Sequence, residues 1–139
     1  MKLVPIKKGT AAPSALCEDV HRQTLAYYET IDYVEPWVSY YLQDTHEVVG
    51  ICAFKGPPDA AQKIEIAYCT FEPFRGRGLG KAMCALLVQT AKSHGPVVIS
   101  ARTLPRTNAS TAILQKNGFT CTGTILDPED GEVWEWLLP

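Results

Sequence analysis

Apolar and polar positions change period several times along this chain, and each change marks an element. Leu3 to Lys7 reads as a short first strand. From Ser14, which can cap a helix, an irregular stripe of Leu16, Val20, Leu25 and Tyr27/Tyr28 predicts a helix to about Thr30. Asp32 to Trp37 is irregular, broken at Pro36. Val38 to Gln43 and Val48 to Phe54 are β-rich runs joined by Asp44-Thr45-His46-Glu47, a hairpin pattern. After the Gly56-Pro57-Pro58-Asp59 loop, Lys63 to Phe71 forms the next strand. Leu79, Met83, Leu86, Leu87 and Ala91 then recur at helical spacing until His94-Gly95-Pro96 stops them. Val97 to Thr103 reads as a continuous apolar strand, the pattern of a strand covered on both faces. Thr107 or Asn108 can cap a short helix that Gly118 ends. Phe119 to Leu126 and Val133 to Leu138 are strands joined across the turn Asp127-Pro128-Glu129-Asp130-Gly131.

That order predicts a mixed α/β sheet. The early strands and the final hairpin should be antiparallel, and the strands flanking the second helix parallel. With 139 residues, 46% of them hydrophobic and 20% charged, the chain is expected to be one globular domain spanning 1–139. A formal net charge of −2 gives no general attraction to nucleic acid or to an anionic membrane, so any positive patch must be local. No apolar run approaches the roughly 20 residues of a membrane span, and Met1 to Lys8 lacks a signal-peptide apolar core. Five cysteines, with no Cys-x-x-Cys pair, read as free thiols and mostly small core residues. A cytoplasmic location is the expectation. His21, His46 and His94 stand far apart, read as surface residues, and give no metal-ligand spacing. No metal is expected.

The local positive patch is Phe74-Arg75-Gly76-Arg77-Gly78-Leu79-Gly80-Lys81, between a strand and a helix. Glycines let the backbone turn sharply and approach a ligand closely. The new helix offers unpaired amides and a partial positive charge at its start, and Arg75, Arg77 and Lys81 add fixed cations. These are the parts of a pyrophosphate pocket. A Walker A loop does not fit, because Arg75 stands where its first glycine belongs and Ala82 follows Lys81. A dinucleotide fingerprint does not fit either, because glycines fall at 76, 78 and 80 with Lys81 in the last place.

The spacing that does fit is Arg-x-x-Gly-x-Gly, as Arg75, Gly78 and Gly80. It resembles the acyl-coenzyme A loop of the GNAT superfamily of N-acetyltransferases. Thr107-Asn108-Ala109-Ser110 through Lys116-Asn117-Gly118-Phe119 is similar to a second element of that family. The resemblance implies a mostly antiparallel sheet with helices on both faces, splayed between the strands that flank the glycine-loop helix. It implies acetyl-coenzyme A as co-substrate, a small-molecule or peptide amine as acceptor, and no nucleic acid or membrane partner. A homodimer is compatible with it.

Residue by residue, the resemblance gives the pyrophosphate to Arg75, Gly76, Arg77, Gly78, Leu79, Gly80 and Lys81, chiefly through backbone N–H groups. It gives the pantetheine amides to the backbone from Cys69 to Phe71, as an added strand would pair. Asn108 would contact the coenzyme arm, cap the helix, or do both. Glu65, in a Glu-Ile-x-Tyr context, would be the general base, its neighbours by period two being Lys63, Ala67, Cys69 and Phe71. An ordinary cross-strand ion pair is the other reading. Tyr68 lies on the opposite face and reads as core. The tyrosine that many relatives use to protonate the departing thiolate is replaced by Leu114. That departure keeps a non-catalytic acyl-coenzyme A sensor open as an alternative to a transferase. Tyr27, Tyr28, Glu29, Asp32, Tyr33, Glu35 and Trp37 gather where GNAT folds shape the acceptor site, an acidity suited either to a cationic amine or to plain solvation.

Overall fold

The computed structural model describes residues 1–139. In chain order the elements are β1 (Lys2–Pro5), α1 (Glu18–Tyr28), β2 (Ser39–Asp44), β3 (Glu47–Phe54) and β4 (Lys63–Thr70). They continue with α2 (Leu79–Ser93), β5 (Val98–Thr103), α3 (Ala109–Lys116), β6 (Thr120–Asp127) and β7 (Gly131–Leu138). The seven strands form one sheet in the order β1-β2-β3-β4-β5-β7-β6. Only β4 and β5 run parallel, and the long crossover between them carries α2. No helix is long and apolar enough to cross a membrane.

The main core lies between the sheet and the helices α2 and α3. Cys52, Phe54, Ile64, Ile66, Ile99 and Ala101 of the strands meet Leu79, Met83, Leu87 and Ala91 of α2 and Leu114 of α3. A smaller cluster of Ile6, Cys17, Tyr41 and Phe71 seals the N-terminal side beneath the start of α1. Helices therefore cover both faces, as expected. Of the five cysteines, Cys17, Cys52 and Cys84 are buried, whereas Cys69 and Cys121 are exposed.

Two local expectations fail near the N-terminus. Ser14 makes no capping bond, and the α-helix starts only at Glu18, after a 3-10 turn that leaves Leu16 46% exposed. His21 is not a surface residue. It is 5% exposed, and its Nδ1 lies 2.8 Å from the Tyr41 hydroxyl while its Nε2 lies 2.8 Å from the Thr10 carbonyl. A carbonyl only accepts, so Nε2 carries the proton and Tyr41 donates to Nδ1. The imidazole thus ties α1 to β2 and to the loop before it.

The feature that positions the site is an interrupted ladder. β4 pairs with β5 only from Lys63↔Val98 to Ile66↔Ala101. Beyond that, β4 continues beside β3 as far as Gly50↔Thr70, and β5 continues beside β7 as far as Thr103↔Trp134. The two parallel strands part after Ile66 and leave a wedge.

The wall of that wedge is set by close packing at Gly50. A Cβ there would stand 3.0 Å from the Cys69 carbonyl oxygen and 3.0 Å from Met83 Sδ. The backbone contact cannot be relieved by a rotamer change. Gly50→Ala is therefore expected to lower stability by about 1–3 kcal/mol, read as a fall in Tm of several degrees. An unchanged Tm would show that β3 and β4 can shift here.

Candidate active site

Phe71 leaves β4 extended, a 3-10 turn follows at Glu72–Phe74, and Arg75 ends it. Gly76 and Gly78 then adopt positive φ, +86° and +73°. Those two left-handed residues roll the chain into α2, with Gly78 as its N-cap. None of the backbone N–H groups from Gly76 to Lys81 donates to a protein acceptor; the first claimed amide is that of Ala82, bonded to the Gly78 carbonyl at 3.2 Å. Consecutive unclaimed amides beside Arg75 and Lys81, neither of which has an acidic partner within ion-pair distance, form an anion cradle.

The cradle opens on a cavity of about 590 Å3. Arg75, Gly76, Gly78, Leu79, Gly80 and Lys81 line one end, Tyr68, Cys69 and Thr70 the floor, and Ala109, Ser110, Ala112, Ile113 and Lys116 of α3 the far wall. Arg77 does not line it; its guanidinium sits 5.5 Å from the centre of the Phe74 ring. Of the three loop cations, two are left for the ligand.

Strand parity corrects the expected backbone donors. Phe71 N–H is committed to the Val49 carbonyl at 3.0 Å, and the Glu65 carbonyl accepts from Lys55 N–H at 2.8 Å. Odd-numbered residues of β4 thus turn their main-chain groups to β3, whereas the even-numbered Gln62 carbonyl accepts from Val98 at the foot of β5. It follows that Tyr68 and Thr70, not Cys69 and Phe71, present free backbone groups to the wedge. Phe71 is 8% exposed and belongs to the smaller core cluster. Cys69, an exposed residue, lines the cavity all the same.

Asn108 is a helix cap. Its Oδ1 accepts from Thr111 N–H at 3.1 Å, and Thr111 Oγ1 accepts from Asn108 N–H at 2.9 Å. It lines a smaller cavity on the β5 side with Arg102 and Asp130, and does not line the loop cavity. Gly118, at φ +88°, and Phe119, 4% exposed, end α3 and anchor it, as the sequence suggests. Leu114 is completely buried in the main core, so α3 brings no hydroxyl to the site from that position.

A second cavity, of about 370 Å3, lies on the α1 face of the sheet. Val20, Gln23, Thr24 and Tyr27 of α1 face Ile51 and Ala53 of β3, Lys55 just after it, and Ala67 of β4 across it. Tyr68 and Cys69 line both cavities, which therefore lie next to each other at the wedge. Of the aromatic and acidic group expected around the acceptor, only Tyr27 lines this space; Glu29, Asp32 and Glu35 are exposed elsewhere.

Tyr68, read from the sequence as core, is the residue that reading missed. Its side chain crosses the α2 side of the wedge, close enough that a Cβ on Gly80 would lie 3.9 Å from its ring, and its hydroxyl approaches the Ser110 carbonyl at 3.4 Å. Burial pushes this phenol far above its usual range, with the buried Cys84 thiol adding to the effect, so it stays protonated.

Glu65 projects to the α1 face, on the same side of β4 as Ala67 and two residues before the opening of the wedge. Its carboxylate is 21% exposed, with Lys55 Nζ at 3.2 Å and Arg102 Nε at 3.7 Å. The cross-strand ion pair, one of the two readings of Glu65, is thus present. Arg102 is a permanent cation, raised further chiefly by its hydrogen bond to Asp127. Glu65 does not itself line the second cavity, but its partner Lys55 does. No cluster of three or more His, Cys, Asp or Glu stands where it could hold a metal ion.

The same architecture occurs in solved structures of acetyltransferases. A ribosomal L7/L12 alpha-N-protein acetyltransferase in complex with coenzyme A superposes at TM-score 0.69 and 16% identity, over 87% of this chain and 70% of that one. The microcin C7 self-immunity acetyltransferase in complex with acetyl-CoA and AMP gives 0.68 and 17%, over 86% and 68%. A ribosomal-protein-alanine N-acetyltransferase from Brucella melitensis gives 0.67 and 19%, over 86% and 76%. At such identities the likeness is one of fold. No curated protein matches the chain in sequence. The family model of the acetyltransferase (GNAT) domain, however, matches residues 10–120, from the loop before α1 to the first residue of β6. With the glycine loop, the interrupted β4–β5 ladder and the bulk of the chain all covered by that match, this protein belongs to the GNAT family of acetyltransferases.

Proposed function

We propose that this protein transfers an acetyl group from acetyl-coenzyme A to a primary amine by direct attack within a ternary complex. One observation carries the reading: unclaimed amides from Gly76 to Lys81 open on a cavity that shares Tyr68 and Cys69 with a second cavity. One cavity suits a diphosphate-bearing thioester carrier and the other its acceptor, with the reacting carbon where they meet.

In this reading the pyrophosphate lies on the loop amides between Arg75 and Lys81. The pantetheine arm follows β4 and pairs with the main chain of Tyr68 and Thr70. The neutral amine attacks the thioester carbonyl, a C–N bond forms, and the negative charge that develops on oxygen is met by the Tyr68 N–H. The C–S bond then breaks. The ammonium proton passes to Glu65 through water beside Lys55, and the coenzyme leaves as thiolate, which takes its proton from solvent water. Holding both reactants in one wedge supplies up to about 7–11 kcal/mol of the barrier reduction in favourable cases.

Leu114, buried where relatives carry a hydroxyl, is the observation that favours the second reading, an acyl-coenzyme A sensor without turnover. Titration calorimetry with acetyl-coenzyme A, followed by thiol release in the presence of an amine library, tests both. Micromolar binding with turnover is the expected result. Binding without turnover on any amine would favour the sensor, and no binding at millimolar ligand would end both readings.

A further inference from the structure

We infer that the acceptor is a primary monoamine carried on an apolar, uncharged body, and that polycationic amines are poor acceptors, an inference that rests on the acetyl-transfer reading above. The α1-side cavity has no carboxylate in its wall. Its polar lining is Gln23, Thr24, Ser39 and the Tyr27 phenol, and its one charged group is the Lys55 ammonium, 3.2 Å from Glu65. That pairing leaves Glu65 no open side toward a second cation: Lys55 stands against one oxygen and Arg102 lies 3.7 Å from the other.

A polyamine or an aminosugar antibiotic carries further ammonium groups besides the one that reacts. Each would have to shed water against Val20, Ile51, Ala53 and Ala67 with no anion to meet it, and Lys55 would repel it. An apolar body gains from the same surfaces. The cavity of about 370 Å3 has the volume of roughly a dozen water molecules at about 30 Å3 each. That is the size of an arylalkylamine, or of one apolar residue at the start of a peptide. The reacting nitrogen has to point at Cys69 and Tyr68, where the cavity meets the coenzyme wedge. The acidic residues Glu29, Asp32 and Glu35, which would welcome a polycation, lie outside the cavity wall.

The test compares kcat/KM on 2-phenylethylamine, on a neutral peptide amide with an apolar first residue, on spermidine and on kanamycin, with acetyl-coenzyme A affinity measured separately by calorimetry. At least one of the first two is expected to exceed both polycations by about 10-fold or more, and which of them does so tells whether the apolar body is a free amine or a chain terminus. Gln23→Glu places a carboxylate on the cavity wall at an exposed helix position, so the fold should tolerate it. It is expected to shrink the preference by several-fold by raising turnover of spermidine. Coenzyme binding with spermidine or kanamycin as the better acceptor, or with a preference that Gln23→Glu leaves unmoved, overturns the inference and leaves acetyl transfer standing. Turnover of none of the amines, with the coenzyme bound, overturns it as well. Absence of coenzyme binding overturns the transfer reading itself, and the inference falls with it.

Discussion

Replacing Gly78 with valine is expected to raise the dissociation constant for acetyl-coenzyme A by about 100-fold while leaving the fold intact. Gly78 sits at φ +73° as the N-cap of α2, and a Cβ built there meets nothing within 4 Å. The space it would enter is that of the anion cradle. A branched side chain would hold the pyrophosphate away from the nearest amides. Losing two charge-assisted bonds at about 1.5 kcal/mol each corresponds to ~100-fold in affinity. Valine at positive φ is also strained, by roughly 1–2 kcal/mol, and strain alone could loosen the loop. Gly131, where the β6–β7 turn enters β7, supplies the control, because it has the same φ of +73° and equally open surroundings. Gly131→Val should lower Tm by a similar amount and leave coenzyme affinity alone. Equal affinity of the Gly78 variant and the native protein would show that the cradle is not where the coenzyme binds.

Chemistry held in consecutive residues was legible in the sequence; chemistry that depends on neighbours across the sheet was not. The glycine loop could be recognised because its donors are its own main chain and its turn needs only Gly76 and Gly78. Element order could be read because each strand and helix carries its own period. The side of β4 that faces the wedge could not be read. Whether odd or even residues turn their amides to the wedge depends on which neighbour, β3 or β5, departs first, and that is a property of the whole sheet. Of the expected stretch Cys69 to Phe71, only Thr70 turns its main chain to the wedge; Cys69 and Phe71 turn theirs to β3, and Tyr68 joins Thr70 instead. Tyr68 looked like core because an aromatic on an apolar strand usually is; it becomes a cavity wall only because β5 swings away after Ala101. His21 looked like surface because its partner Tyr41 lies far along the chain, on β2. Glu29, Asp32 and Glu35 are neighbours in sequence, yet only Tyr27 of that stretch lines the α1-face cavity.

Changing Glu65 to glutamine is expected to lower kcat by about 100-fold or more with coenzyme affinity unchanged, the usual reach of a lost general base. The substitution keeps shape and removes one charge, so it tests proton transfer more than packing. It also breaks the ion pairs to Lys55 and Arg102, at 3.2 Å and 3.7 Å. That structural effect must be separated from the chemical one. Lys63 and Glu135 offer the comparison, because they form a similar pair at 2.9 Å, with Lys63 on the same edge of β4 as Glu65 and neither residue lining the two cavities. Glu135→Gln should lower Tm about as much as Glu65→Gln and leave turnover near its native value. Raising the pH should rescue the Glu65 variant selectively, since an amine that loses its proton to solvent no longer needs the carboxylate. A Glu65 variant with native kcat across the pH range would make this carboxylate a strut that holds Lys55 and Arg102 across three strands, and the proton would then leave the wedge by water alone.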